Sequence, residues 1–239
     1  MVFHKAVEAY KTNFVTVLVF LLLGLFVFVF SFFGNMFASS GTVFLEYNLV
    51  SATALQIFVQ LLIAIIYLAF FSLFLVVMIF AVRQHISKVR FATYLKEKVP
   101  HFTLELFEFF LVFSAISFFV GLALVSVGVP AVIGVLVLFL FACVLFFVPQ
   151  SIVIDEVSWV KGVQQATHFF STHFKVSAGI LIIGFILIGI IPFIELFFDE
   201  FAFIGRFVSI IIVLVIFLPF IEILKTVAYL HKFELVKKA

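Results

Sequence analysis

A bundle of about six membrane-spanning helices is the fold this sequence predicts, and three observations predict it. Of 239 residues, 67% are hydrophobic and 11% charged, against about 45 to 50% and about 25% in soluble domains, so no soluble core could hide the apolar surface. No charged residue stands between Lys11 and Glu46, between Glu46 and Arg83, or between Glu108 and Asp155, and each gap exceeds the roughly 20 residues a helix needs to cross a bilayer. These runs are continuous rather than alternating. In lipid every backbone group must be bonded within its own element, which here selects helices over a barrel. The class is all-α, a polytopic membrane protein with one transmembrane domain over 1–239.

The first span is expected over 14–36. Lys5 and Lys11 precede it as in a signal peptide, but the apolar stretch from Phe14 to Phe33 outruns the roughly 7 to 15 residues of a signal core, so it reads as an uncleaved helix. A turn at Ser39, Ser40 and Gly41 leads to a second span over 50–82, long enough to tilt or protrude. Arg83, Lys88, Arg90, Lys96 and Lys98 then form a basic stretch that Pro100 closes. As one helix, the run from Phe109 to Ile154 would reach about 69 Å at about 1.5 Å per residue. Gly128, Val129 and Pro130 break it into spans over 106–128 and 131–148. After Pro149 a more polar segment extends to Lys175, and spans over 176–198 and 207–224 precede a basic tail.

Six spans put thirteen of the 14 basic residues on one side and leave Arg206 alone on the other. The positive-inside rule then places both termini in the cytoplasm of a cell-membrane protein. All six histidines, His4, His85, His101, His168, His173 and His231, fall on the basic side. A weak internal repeat accompanies this order. Lys11, Thr12, Asn13 and Phe14 precede the first span, Ser171, Thr172, His173 and Phe174 the fifth, and His101 and Phe102 stand near the start of the third. The pattern suggests three units of interfacial helix followed by a transmembrane hairpin.

The interfacial helix over 158–174 is the clearest element outside the spans. Ser158 suits an N-cap, and Trp159, Val163, Ala166 and Phe170 form an apolar stripe, with Lys161, Gln164, Gln165 and His168 away from it. Such a helix lies in the membrane interface, Trp159 at head-group level. Trp159, Lys161, His168, Phe170 and His173 are therefore the candidate cytoplasmic interface, either as a simple anchor for the fifth span or as a docking element. Within the spans, Gln56, Gln60 and Tyr67 share one face of the second helix, as helix-to-helix glue or as a solute-binding stripe. Ser114, Ser117 and Gly121 in the third span, and Ser177 and Gly184 in the fifth, are candidate close-packing positions.

Glu105, Glu108 and Glu222 lie near the basic boundary, where water or Lys225 can reach them. Glu195, Asp199, Glu200 and Arg206 read as a solvated outer turn. Cys143 stands alone in an apolar run and reads as a small buried hydrophobe. His168 and His173 are five apart, about 140° around a helix, away from a shared metal position. There is no GxSxG, HExxH or phosphate-binding loop. No metal, cofactor, catalytic residue or nucleic-acid partner is expected; net charge is only +2.

From Val148 to Lys175 the sequence resembles a diverse family of prokaryotic six-helix membrane proteins, grouped with the membrane domain fused to glycerophosphodiester phosphodiesterases and with similar archaeal proteins. Pro149 ends the fourth span, Ile152 to Glu156 is short, apolar and acidic, the interfacial helix ends in an aromatic residue and His, and Tyr229 follows the sixth span. The resemblance implies a stand-alone membrane domain. The phosphodiesterase barrel is not in this sequence, so its activity is not carried over. The expected role is a non-catalytic scaffold or accessory subunit with a cytoplasmic docking face, its partners membrane lipids and a protein. The alternative is a small carrier or channel, with Gln56, Gln60, Tyr67, Pro192 and Pro219 along its path.

Overall fold

The computed structural model describes residues 2–30, 34–39, 42–47, 54–87, 92–202 and 205–233. The protein is a helical bundle in which, among the described residues, five helices are long and apolar enough to cross a membrane, or six when the bent first pair counts as one span.

Helix α1, Val2–Thr12, is amphipathic: Ala6 and Ala9 are fully buried, with Val2 and Tyr10 packed beside them, while His4, Glu8 and Lys11 are exposed. A single residue, Asn13, separates it from α2, Phe14–Leu18, and the chain turns by 76° there. The first span is itself interrupted. Three i→i−3 bonds, including Phe20 N–H to the Val17 carbonyl, separate α2 from α3, Leu21–Phe30, in a stretch where the β-branched Val15, Thr16, Val17 and Val19 weaken helix preference. The expected helix to residue 36 is corrected: Gly34–Ser39 is a strand, β1, paired antiparallel with β2, Thr42–Tyr47. Residues 40 and 41, expected as the turn, lie outside the described residues.

Helix α4 runs Ala54–Ser87 and carries the second span past its expected end at 82 through Arg83. Pro100 does not close the basic stretch. Helix α5, Ala92–Ser126, passes through it, so the third span and the segment before it are one element. Its end is as the sequence predicts: Gly128 takes φ +76°, which only glycine adopts freely, and Val129 N–H reaches back to the Leu124 carbonyl.

The fourth span, expected as one helix over 131–148, is α6, Ala131–Val144, then a tight turn and α7, Val148–Asp155. The cause is Pro149, whose ring collides with the carbonyl four residues earlier, at Leu145, where the chain bends. Helix α8, Trp159–Thr172, is amphipathic as expected and joins α9, Phe174–Ala202, through the single residue His173. The joints at Asn13 and His173 therefore share one geometry as well as one sequence pattern. The middle unit departs from it, since α5 is continuous at His101 and Phe102.

The last span extends beyond the expected 207–224. It comprises α10, Gly205–Ile212, a π-helical turn, Val213–Phe217, and α11, Leu218–Leu230. Pro219 cannot bond the Val215 carbonyl four residues earlier. Leu218 N–H instead bonds the Val213 carbonyl, five back, and the Tyr10 hydroxyl donates to the orphaned Val215 carbonyl at 2.8 Å.

Candidate functional site

The polar chemistry gathers at one end of the bundle, where α1, α7, α8 and the C-terminal half of α11 meet. From Leu218 to Leu230 every residue but Phe220 is buried. Inside this helix Glu222 and Lys225, one turn apart, form a fully buried ion pair, with Lys225 Nζ at 2.8 and 3.0 Å from the two carboxylate oxygens. Gln150 of α7 donates its amide to Glu222 Oε2 at 3.0 Å, and the ammonium also stands 4.5 Å from the Phe146 ring centroid. An ion taken out of water is tolerated only when paired and hydrogen-bonded, and here both conditions hold. The expectation that Glu222 meets Lys225 is right; the expectation that it reaches water is corrected, because α7 and α11 close over it.

A second polar layer lies further along α11. Asp155 accepts from the Tyr229 hydroxyl at 2.5 Å and from Lys232 Nζ at 3.1 Å. Arg83 of α4 pairs with Glu156 at 3.1 Å, and Glu156 holds the left-handed conformation, φ 57°, that ends α7. Helix α8 is fastened to α7 by Gly162. A Cβ there would stand 2.6 Å from Ile152 Cγ1 and 3.2 Å from Ser151 Oγ, and the Ser151 hydroxyl donates to the Gly162 carbonyl at 2.7 Å. Ser158 occupies the N-cap position but its side chain makes no capping bond. Glu105 of α5 replaces it, accepting from Trp159 N–H at 2.8 Å.

The buried stripe of α8 is Gly162, Ala166 and Phe169: Ala166 is where it was expected, and Gly162 and Phe169 take the places expected of Val163 and Phe170. Trp159, Val163 and Phe170 are partly buried against the core, so the apolar side of this helix faces the protein. Lys161, His168 and His173 are exposed. His168 and His173 nevertheless line one cavity, of about 420 Å³, with Gln164, Gln165, Thr172 and Lys232. They stand on different parts of that broad wall, with His173 at the joint to α9 at φ −111° and ψ 38°. No cluster able to hold a metal ion occurs among the described residues.

The expected face of α4 divides: Gln60 and Tyr67 are buried, at 2% and 1% exposure, while Gln56 is exposed. Of the expected packing positions, Ser177 is buried and bonds back to the His173 carbonyl, and Ser114 and Ser117 are partly buried. A Cβ on Gly184 would make ordinary contact with Ile221 at 3.9 Å. Gly121 is corrected, since a Cβ there would meet nothing within 4 Å. At the far end, Asp199 accepts from Gly205 N–H at 2.7 Å and Glu195 from Ser209 at 2.6 Å, so that turn is hydrogen-bonded rather than merely solvated. Cys143 is buried, as expected.

No family model, no curated protein and no solved structure matches this chain.

Proposed function

We propose that the chain is a cell-membrane protein with both termini in the cytoplasm, a non-catalytic scaffold or accessory subunit whose basic end is a docking face for lipid head groups and a protein partner. The observation that carries the reading is the concentration of built polar structure at that end: the closed Gln150, Glu222 and Lys225 cluster, the Asp155 layer, and α8 clamped to α7 with Lys161 and His168 exposed. The Gln150 bond to Glu222 ties α7 to α11 inside the packing, and a buried polar network with its charges paired suits a rigid platform. The likeness of the α7 to α8 segment to the phosphodiesterase-linked membrane domain belongs to the same proposal.

The experiment is purification from the native host in mild detergent. A scaffold is expected to carry a second polypeptide in fixed ratio, and reversing the α8 face with Lys161→Glu and His168→Glu is expected to release it. Elution of the parent protein alone would overturn the docking role. A second reading, a small carrier, draws support from the interruptions in three spans, at Val19 and Phe20, at Leu145 to Phe147, and at Val213 to Phe217, because carriers build their sites on broken helices. Solute uptake into proteoliposomes that Gln60→Leu abolishes would establish it.

A further inference from the structure

The cavity of about 420 Å³ lies between the C-terminal half of α8 and the turn that follows α11. Its wall holds His168, His173 and Lys232, three nitrogen groups able to donate and to carry positive charge, together with two amides and the Thr172 hydroxyl, and no carboxylate among the described residues. The acid tied to this wall, Asp155, is nearly enclosed and already accepts from Tyr229 and Lys232. The surface that the cavity itself presents is almost wholly carbon, the Phe169 side chain included, so a ligand held there is largely apolar and meets the nitrogen groups only with its head, which a bare ion does not match.

Its depth points the same way. His173 immediately precedes Phe174, where one apolar span begins, and Lys232 lies just beyond Leu230, where another ends. The cavity is thus level with the edge of the hydrocarbon-matched segments, the level of phospholipid phosphates. A basic pocket between helices at that level is a known way to hold a lipid head group.

We propose that this cavity binds the phosphate head group of an anionic phospholipid, with His168, His173 and Lys232 as its donors and the Phe169 side beneath the glycerol. The inference rests on the reading that α8 lies at the membrane surface, but the binding chemistry is measurable in micelles without a partner protein. Loss of one result therefore leaves the other standing.

The test is native mass spectrometry of the full chain in mild detergent, titrated with phosphatidylglycerol, with phosphatidylcholine and, in a separate arm, with inorganic phosphate. The parent is expected to retain phosphatidylglycerol about tenfold better than phosphatidylcholine. His168→Glu and Thr172→Glu, both at exposed positions, are expected to erase that preference. Lys161→Glu, exposed on the same helix but outside the cavity, is expected to leave it intact. Equal retention of the two lipids by the parent would overturn the site. Equal loss in Lys161→Glu would reduce it to general surface charge, and saturation by inorganic phosphate at the same concentration would overturn the lipid assignment.

Discussion

Helix α11 and its neighbour α9 face opposite environments although both belong to apolar spans. In α11 almost nothing is exposed, and the helix carries an ion pair, a threonine and a tyrosine inside its packing. In α9, Ile182, Phe185, Ile186, Phe193, Leu196 and Phe197 are all more than half exposed. The far half of α5 and α6 resembles α9, with Phe119 at 67%, Val132 at 80% and Val135 at 67%. Lipid is as apolar as these side chains, so nothing drives them together, and they can remain at the periphery. Helices meet closely where a small residue or a polar pair gives them a reason: Gly162 and the Gln150, Glu222 and Lys225 cluster do so at the basic end, while at the far end Gly205, with Asp199, and Ser209, with Glu195, join α10 to α9 alone.

The strongest way to break this contrast is to open the buried pair. Lys225→Met leaves Glu222 charged and enclosed with only Gln150 to meet it, and removing one partner of such a pair costs about 3 to 5 kcal/mol. Thermal unfolding in detergent is expected to show that loss, while Glu222→Leu combined with Lys225→Met is expected to recover most of it. A single variant as stable as the parent would mean that water reaches the pair.

The next comparison sets two glycines against each other. Gly162→Leu forces a side chain into Ile152 and Ser151, an overpacking cost of about 1 to 3 kcal/mol or more, whereas Gly121→Leu, facing open space, is expected to change nothing measurable. Equal losses in the same unfolding assay would show that the far half packs as tightly as the basic end. Smaller again is Tyr10→Phe, which removes one hydrogen bond from the Val215 carbonyl and should cost about 1 kcal/mol. Protection of the Val213 to Phe217 amides against hydrogen exchange should fall with it. Unchanged protection would detach α1 from the break that Pro219 creates.

Much of this architecture was legible in the sequence because charge gaps and turn residues act locally. The spans follow the empty stretches between charges, and Gly128 with Pro130 ends α5 where it should. The likeness of Lys11–Phe14 to Ser171–Phe174 anticipated two joints of one shape. Other features had a signal that was read for its near consequence only. Pro149 and Pro219 each disturb the carbonyl four residues earlier, so the breaks at Leu145 and Val215 were implied by prolines taken merely as markers. Gly162 was a lone glycine in an amphipathic helix, costing about 1 kcal/mol relative to alanine, and such a residue asks for a close contact to justify it. The Gln150 to Glu222 bond, Glu105 capping α8, and the cavity that Lys232 shares with His168 and His173 join residues from separate elements. No local pattern encodes those meetings.

In the orientation proposed above, the densely built end faces the cytoplasm and the open end faces outward. In a Cys143→Ser background, an impermeant maleimide tests it at two exposed positions, Val127→Cys in the turn after α5, where Val127 is 79% exposed, and Lys161→Cys on α8. The account predicts that the cysteine at 127 labels on intact cells and the one at 161 only after the cells are opened. Labelling at 161 on intact cells, with 127 protected until lysis, would contradict it.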